Sequence, residues 1–224
     1  MAGKGEHTPG RDYIRQQAAR DTTNLEASLK QRRSAEIQTG LANGTLSWTQ
    51  SLGSCVVLGD SRALAFSEYG YLDADRNLAV IGTNFTDMAS HVQEVASRQP
   101  DRIIISYGLN DLQSFGGEES YLQGGYGQAF AGQVKQLAQA SPSSHILINS
   151  ILPPADDSAV NNRQNVDNFN AQLKDICQQN GWTYVDNDPL RSQMEYEADG
   201  QHFVSSFYGV WLSNIARTVW ENEA

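Results

Sequence analysis

From residue 55 onward, short apolar runs alternate with longer stretches of helical period. The runs Cys55–Leu58, Leu78–Ile81, Arg102–Tyr107, His145–Ile151 and Trp182–Val185 are brief and rich in β-formers, which predicts strands. Helices are predicted at about 62–68, 86–98, 126–140, 161–180 and 203–221, the last with Phe203, Phe207, Trp211, Ile215 and Val219 along one face. Crossovers of this length force parallel pairing, with helices covering both faces of the sheet. The expected architecture is therefore α/β, a three-layer α/β/α sandwich around a mostly parallel five-stranded sheet. Ligands of such sheets bind beyond the carboxyl ends of the strands, so the residues there carry the functional question.

Upstream of this pattern, Met1 to Gly10 has no periodicity. Asp21-Thr22-Thr23, followed by Leu25, Leu29 and Ile37, predicts a capped, weakly amphipathic helix ending near Gly40. The chain is thus expected to divide into a flexible segment and helical linker over residues 1–45 and one catalytic-size domain over 46–224. Charge follows the same division. Residues 1–50 hold seven basic and five acidic side chains, whereas residues 51–224 hold nine and 21, for a formal net charge of −10 over 224 residues. A field of that sign repels phosphate backbones and anionic lipid, which argues against nucleic-acid or membrane-surface partners. No window approaches the run of roughly 20 apolar residues that a membrane helix needs, and residues 1 to 25 hold no signal-like apolar core. The chain as given reads as soluble. Cys55 and Cys177 lie in apolar patterns and form no metal or redox spacing, so both are expected as buried free thiols.

Four segments, three at strand ends and one before the last helix, carry the candidate chemistry. Gly59-Asp60-Ser61-Arg62 follows the first strand and puts Ser61 at a helix start, where it is either a nucleophile near free backbone amides or simply an N-cap. Gly82-Thr83-Asn84 follows the second, and Gly108-Leu109-Asn110-Asp111 the third. There Gly82 and Asn110 are either donors to a bound oxygen or ordinary turn and Asx-cap residues. Asp199-Gly200-Gln201-His202 precedes the last helix, a spacing that lets the carboxylate orient the imidazole. His7, His91 and His145 have no such setting.

Taken together and in this order, Gly59-Asp60-Ser61, Gly82, Gly108-x-Asn110-Asp111 and Asp199-x-x-His202 resemble the four sequence blocks of the SGNH hydrolases, or GDSL esterase/lipase family, over about residues 53 to 220. The resemblance implies a flavodoxin-like hydrolase fold, with Ser61 as nucleophile, His202 as general base and Asp199 orienting it. It implies an oxyanion hole of the Ser61 and Gly82 amides and the Asn110 side chain, and no metal or organic cofactor. Arg62 replaces the leucine of the family's name. It is read either as a contact to an anionic or sugar substrate or as a solvated, salt-bridged helix residue. Ala63 rules out a Gly-x-Ser-x-Gly elbow.

Loops Gln113 to Gly127 and Pro153 to Asn165 are polar, and Tyr107, Phe115, Tyr121 and Tyr126 offer rings for stacking or for the core. The expected substrate is a small acyl ester, an acetyl group on a carbohydrate such as xylan or a cell-wall polysaccharide. The alternatives are an O-acetyltransferase with the same triad and a carbohydrate-binding module without turnover. Similar bacterial proteins act outside the membrane, which favours an extracytoplasmic setting over a cytoplasmic one. No oligomeric state is implied.

Overall fold

The computed structural model describes residues 9–18, 23–155 and 161–222. Its centre is a parallel sheet of β1 (Cys55–Gly59), β2 (Arg102–Ser106), β3 (His145–Asn149) and β4 (Thr183–Val185), in that spatial order. Val56 sits beside Ile103 and Ile103 beside Ile146, so equivalent positions line up across the sheet. Because alternate strand residues point to opposite faces, the sheet sorts its apolar residues into two cores. Cys55, Val57, Ile104, Leu147 and Val185 face α4 (Ser61–Glu68) and α9 (Ser205–Asn222), with Phe66, Phe207, Trp211 and Ile215. Val56, Leu58, Ile103, Ile105, Ile146 and Ile148 face α5 (Val92–Arg98), α7 (Tyr126–Ala140) and α8 (Arg163–Asn180). The three-layer α/β/α sandwich is as expected, and both cysteines are buried and free.

The sheet has four strands where five were expected. The run Leu78–Ile81 does lie along the free edge of β1, through Leu78 N–H to Val57 O at 2.8 Å and Val80 N–H to Gly59 O at 3.0 Å. The pairing stops at a single bridge because local polar groups claim the segment. Asn77 Oδ1 accepts from the Ala79 amide, while its Nδ2 donates to Ala63 and Leu64 carbonyls of α4. Thr83 Oγ1 then closes a turn onto the Val80 and Gly59 carbonyls. Ile81 is left 68% exposed.

The N-terminal region contains more helix than the sequence pattern predicts. α1 (Pro9–Ala18) forms where no helix was predicted, and α2 runs Thr23–Ala42. The expected capping residues Asp21 and Thr22 lie outside the described residues. Leu25 and Leu29 are exposed, whereas Ile37 and Leu41 pack on the α4/α9 core and Lys30 Nζ donates to Glu221 O at 3.2 Å. α3 (Trp48–Leu52) follows, started by a capping box in which Ser47 and Gln50 exchange side-chain and backbone bonds.

Candidate active site

Ser61 is the first residue of α4, two residues beyond the end of β1. The N-cap is Asp60, whose Oδ1 accepts from the Arg62 amide at 3.0 Å, so Ser61 is released from that role and its own first-turn amide has no intrahelical acceptor. Gly59 is required for space and not for its backbone angles. A Cβ there would come within 2.5 Å of both Ala63 Cβ and Ser106 O. The tight seat brings α4 directly over the end of the sheet.

Asp199 and His202 stand on a hairpin between Glu195 and Val204, closed by Glu197 N–H to His202 O at 2.8 Å and Val204 N–H to Glu195 O at 3.0 Å. Asp199 Oδ1 accepts from the amides of Gln201 and His202 at 2.8 and 2.9 Å, and its Oδ2 lies 2.6 Å from His202 Nδ1. These bonds hold the Asp199 carboxyl down at about 2, the His202 side-chain bond contributing most. His202 Nε2 is 2.8 Å from Ser61 Oγ. With Nδ1–H donated to the Asp199 carboxylate, Nε2 is the acceptor for the Ser61 hydroxyl. The sequence-predicted trio is therefore one continuous hydrogen-bonded chain.

Gly82 and Asn110 come from neighbouring segments that are fastened to each other. Gly82 takes a φ of 76°, in the left-handed region that favours glycine. Asn110 lies in α6 (Leu109–Phe115), a helix the sequence pattern did not predict, and its Nδ2 donates to Thr83 O at 2.8 Å, leaving the second amide hydrogen of that nitrogen for another acceptor. It is not the Asx cap of a loop. Two buried carboxylates complete the fastening, and neither was singled out from sequence. Asp60 Oδ2 accepts from the Leu109 amide at 3.3 Å. Asp111 accepts from the Phe85 amide and the Tyr126 hydroxyl, both at 2.8 Å, and burial pushes its carboxyl up to about 7. Their only sequence signal is an aspartate within each block, where solvated turn residues are equally common.

Arg62 is not solvated, and among the described residues its guanidinium bonds to carbonyls and to no carboxylate. It is 3% exposed. Nε donates to Gln201 O at 2.7 Å, Nη1 to Leu152 O, and Nη2 to Pro153 O at 3.3 Å, with the guanidinium carbon 4.4 Å from the centre of the Phe203 ring. Burial lowers its pKa, and the Asp60 charge opposes that shift.

Of the aromatic residues considered for sugar stacking, two belong to the interior and two are half-buried. Tyr107 and Tyr126 are buried. Phe115 and Tyr121 stack on each other at 4.6 Å and pack against the same core. The segment Gln113 to Gly127 is mostly helical, with a π-helical turn over Tyr121–Gly125. Part of the stretch from Pro153 to Asn165, residues 156–160, lies outside the described residues. A cavity of about 690 Å³ between α2, α9 and the Asp188–Gln193 turn contains none of the candidate residues, so chemistry and not volume locates the site. Among the described residues, no cluster of His, Cys, Asp and Glu has the arrangement of a metal site, and no helix is long and apolar enough to cross a membrane.

A serine, imidazole and carboxylate in series beyond the ends of a parallel sheet form an arrangement suited to acyl transfer. The sequence matches the model of the GDSL-like lipase/acylhydrolase family over residues 47–206, and the chain belongs to that family, whose members are carboxylic ester hydrolases. Solved structures share its fold. A GDSL-like lipase from Bacteroides thetaiotaomicron aligns at 17% identity and a TM-score of 0.57, covering 85% of this chain and 100% of that one. A lipase/acylhydrolase from Enterococcus faecalis aligns at 17% and 0.56, covering 75% and 96%. Axe2, an acetylxylan esterase from Geobacillus stearothermophilus, aligns at 13% and 0.54, covering 78% and 100%. No curated protein sequence matches this chain.

Proposed function

We propose that this acylhydrolase cleaves small acyl esters, acetyl groups on a carbohydrate foremost, through a covalent ester on Ser61. The supporting observation is the unbroken series Ser61 Oγ, His202 Nε2 and His202 Nδ1, Asp199 Oδ2, at 2.8 and 2.6 Å. His202 Nε2 takes the hydroxyl proton as Oγ bonds to the ester carbon. The carbonyl electrons move to oxygen, where the Ser61 and Gly82 amides and the free Asn110 N–H stabilise the charge. When the carbon–oxygen bond to the alcohol breaks, His202 returns that proton to the leaving oxygen. Water, deprotonated by the same nitrogen, then releases the acid and restores Ser61. Every step is a proton transfer or an acyl transfer, so the chain's own residues balance the reaction without a redox partner.

The acetyl and carbohydrate parts of this reading rest on the likeness to Axe2, described as an acetylxylan esterase, and on the polar residues around the site. Tyr107 and Tyr126 are buried, and Phe115 and Tyr121 are engaged with each other, so the four rings add no support for sugar stacking. No observation favours transfer to a sugar hydroxyl or a binding role without turnover. The test is a series of p-nitrophenyl esters of increasing acyl length, followed by acetylated xylan. kcat/KM is expected to be highest for acetate and to fall by butyrate, with acetate released from the polymer. A maximum at octanoate or longer would overturn the acetyl assignment and leave the serine chemistry standing.

A further inference from the structure

The His202 hairpin is exposed at its tip, yet its base meets one buried charge. Arg62 follows Ser61 directly, and its three donor nitrogens all end on backbone carbonyls. Gln201 O and the Phe203 ring belong to the residues on either side of His202. Leu152 O and Pro153 O belong to the segment leaving β3, which is itself bonded to the hairpin through Tyr196 Oη–H to Pro153 O at 2.9 Å and Ala155 N–H to Gly200 O at 2.8 Å. A buried guanidinium is costly to keep, and substituting a long apolar side chain would fill the space without ordering three carbonyls. Its planar fork, unlike an ammonium, fixes the directions of several acceptors at once.

We propose that Arg62 is a positioning residue that sets His202 against Ser61. Its guanidinium joins the first turn of α4 to both neighbours of the imidazole, so that the 2.8 Å approach is a built distance. This rests on the reading of Ser61 as nucleophile and His202 as base. Loss of the fork lets the hairpin move by about 1 Å relative to α4 while the ester still binds.

The experiment compares wild type, Arg62→Lys and Arg62→Leu for kcat and KM on p-nitrophenyl acetate, for the rate of inactivation by an organophosphonate, and for melting temperature. In both variants kcat is expected to fall about 10²-fold, the scale of a misplacement near 1 Å. KM should change little, and phosphonylation should slow by a similar factor, with lysine rescuing little because it cannot span the carbonyls. Variants that melt early yet keep wild-type kcat and labelling rate below their transition would make Arg62 structural only and overturn the proposal. Should neither variant fold, the Arg62 Nε–H resonance of the wild-type protein decides. Slow hydrogen exchange and a shift on phosphonylation support the tie, and fast exchange with no shift contradicts it. Failure of the wild type to be labelled on Ser61 would instead refute the underlying catalytic reading.

Discussion

Ser61 follows a strand whose five residues are all buried, whereas Asp199 and His202 project from a hairpin with side chains 48% and 38% exposed. The two ends of the proposed triad are therefore held by different physics. On the Ser61 side, Gly59, Asp60, Thr83, Asn110 and Asp111 cross-link three strand-end segments within or beside the core, where an unmade bond is expensive and the geometry is over-determined. On the His202 side, solvent screens the Asp199–His202 pair, so that contact supplies orientation more than stability. The position of the hairpin comes from its own backbone bonds and from Arg62 reaching out of the buried side. An exposed base is thus proposed to be registered by the buried half of the site.

This contrast predicts different outcomes for substitutions on the buried side. Apart from the nucleophile itself, the largest effect is at Asn110. If its free N–H meets oxygen only as charge develops, Asn110→Ala lowers kcat by about 10²–10³-fold with little change in KM. Steady-state kinetics and a melting curve on the purified variant check this. Early melting with most of kcat retained would reduce Asn110 to the strut it forms with Thr83.

A smaller, purely energetic effect follows from Asp111. Its carboxyl is raised to about 7, so the folded state holds a proton that the unfolded chain releases near 4. The stability linked to that proton is complete below about pH 4 and is lost as pH rises through 7. Asp111→Asn keeps an acceptor for the Phe85 amide and offers a donor to the Tyr126 oxygen, so melting temperature between pH 4 and 8 should become flatter than in wild type. An unchanged slope would show that Asp111 does not carry this linkage.

The smallest effect is expected from removing residues 1–40, proposed to lie outside the catalytic domain. Turnover should persist, with a modest fall in melting temperature as Ile37 leaves the α4/α9 core. A soluble but inactive product would make the N-terminal helices part of the active unit.

Much of this arrangement was legible in the sequence because three of the candidate segments interrupt apolar runs at strand ends and the fourth precedes the last helix. Singly each also fitted a cap or turn, and the roles came from the resemblance of the four together. Period-2 alternation was hidden within strands buried on both faces, but their short apolar runs still marked them. The fifth strand misled because Leu78–Ile81 has strand composition while its pairing is decided by Asn77 and Thr83, residues outside the run. α6 is only seven residues long, fewer than two helical turns, and α1 carries few apolar residues, Tyr13 and Ile14 among them. Ser47-x-x-Gln50 was a readable capping box for α3 that apolar patterning alone passes over. Arg62 was illegible for a different reason. Its charge argues for solvent, and its three acceptors are carbonyls whose positions depend on tertiary structure.

The central claim is that Ser61 is the acyl-accepting atom. Peptide mass spectrometry after treatment with an organophosphonate tests it most directly. The account predicts a single stoichiometric adduct on Ser61, coincident with loss of esterase activity, and neither adduct nor turnover above about a thousandth of wild type in a folded Ser61→Ala protein. An adduct on another residue, or activity surviving in Ser61→Ala, would contradict it.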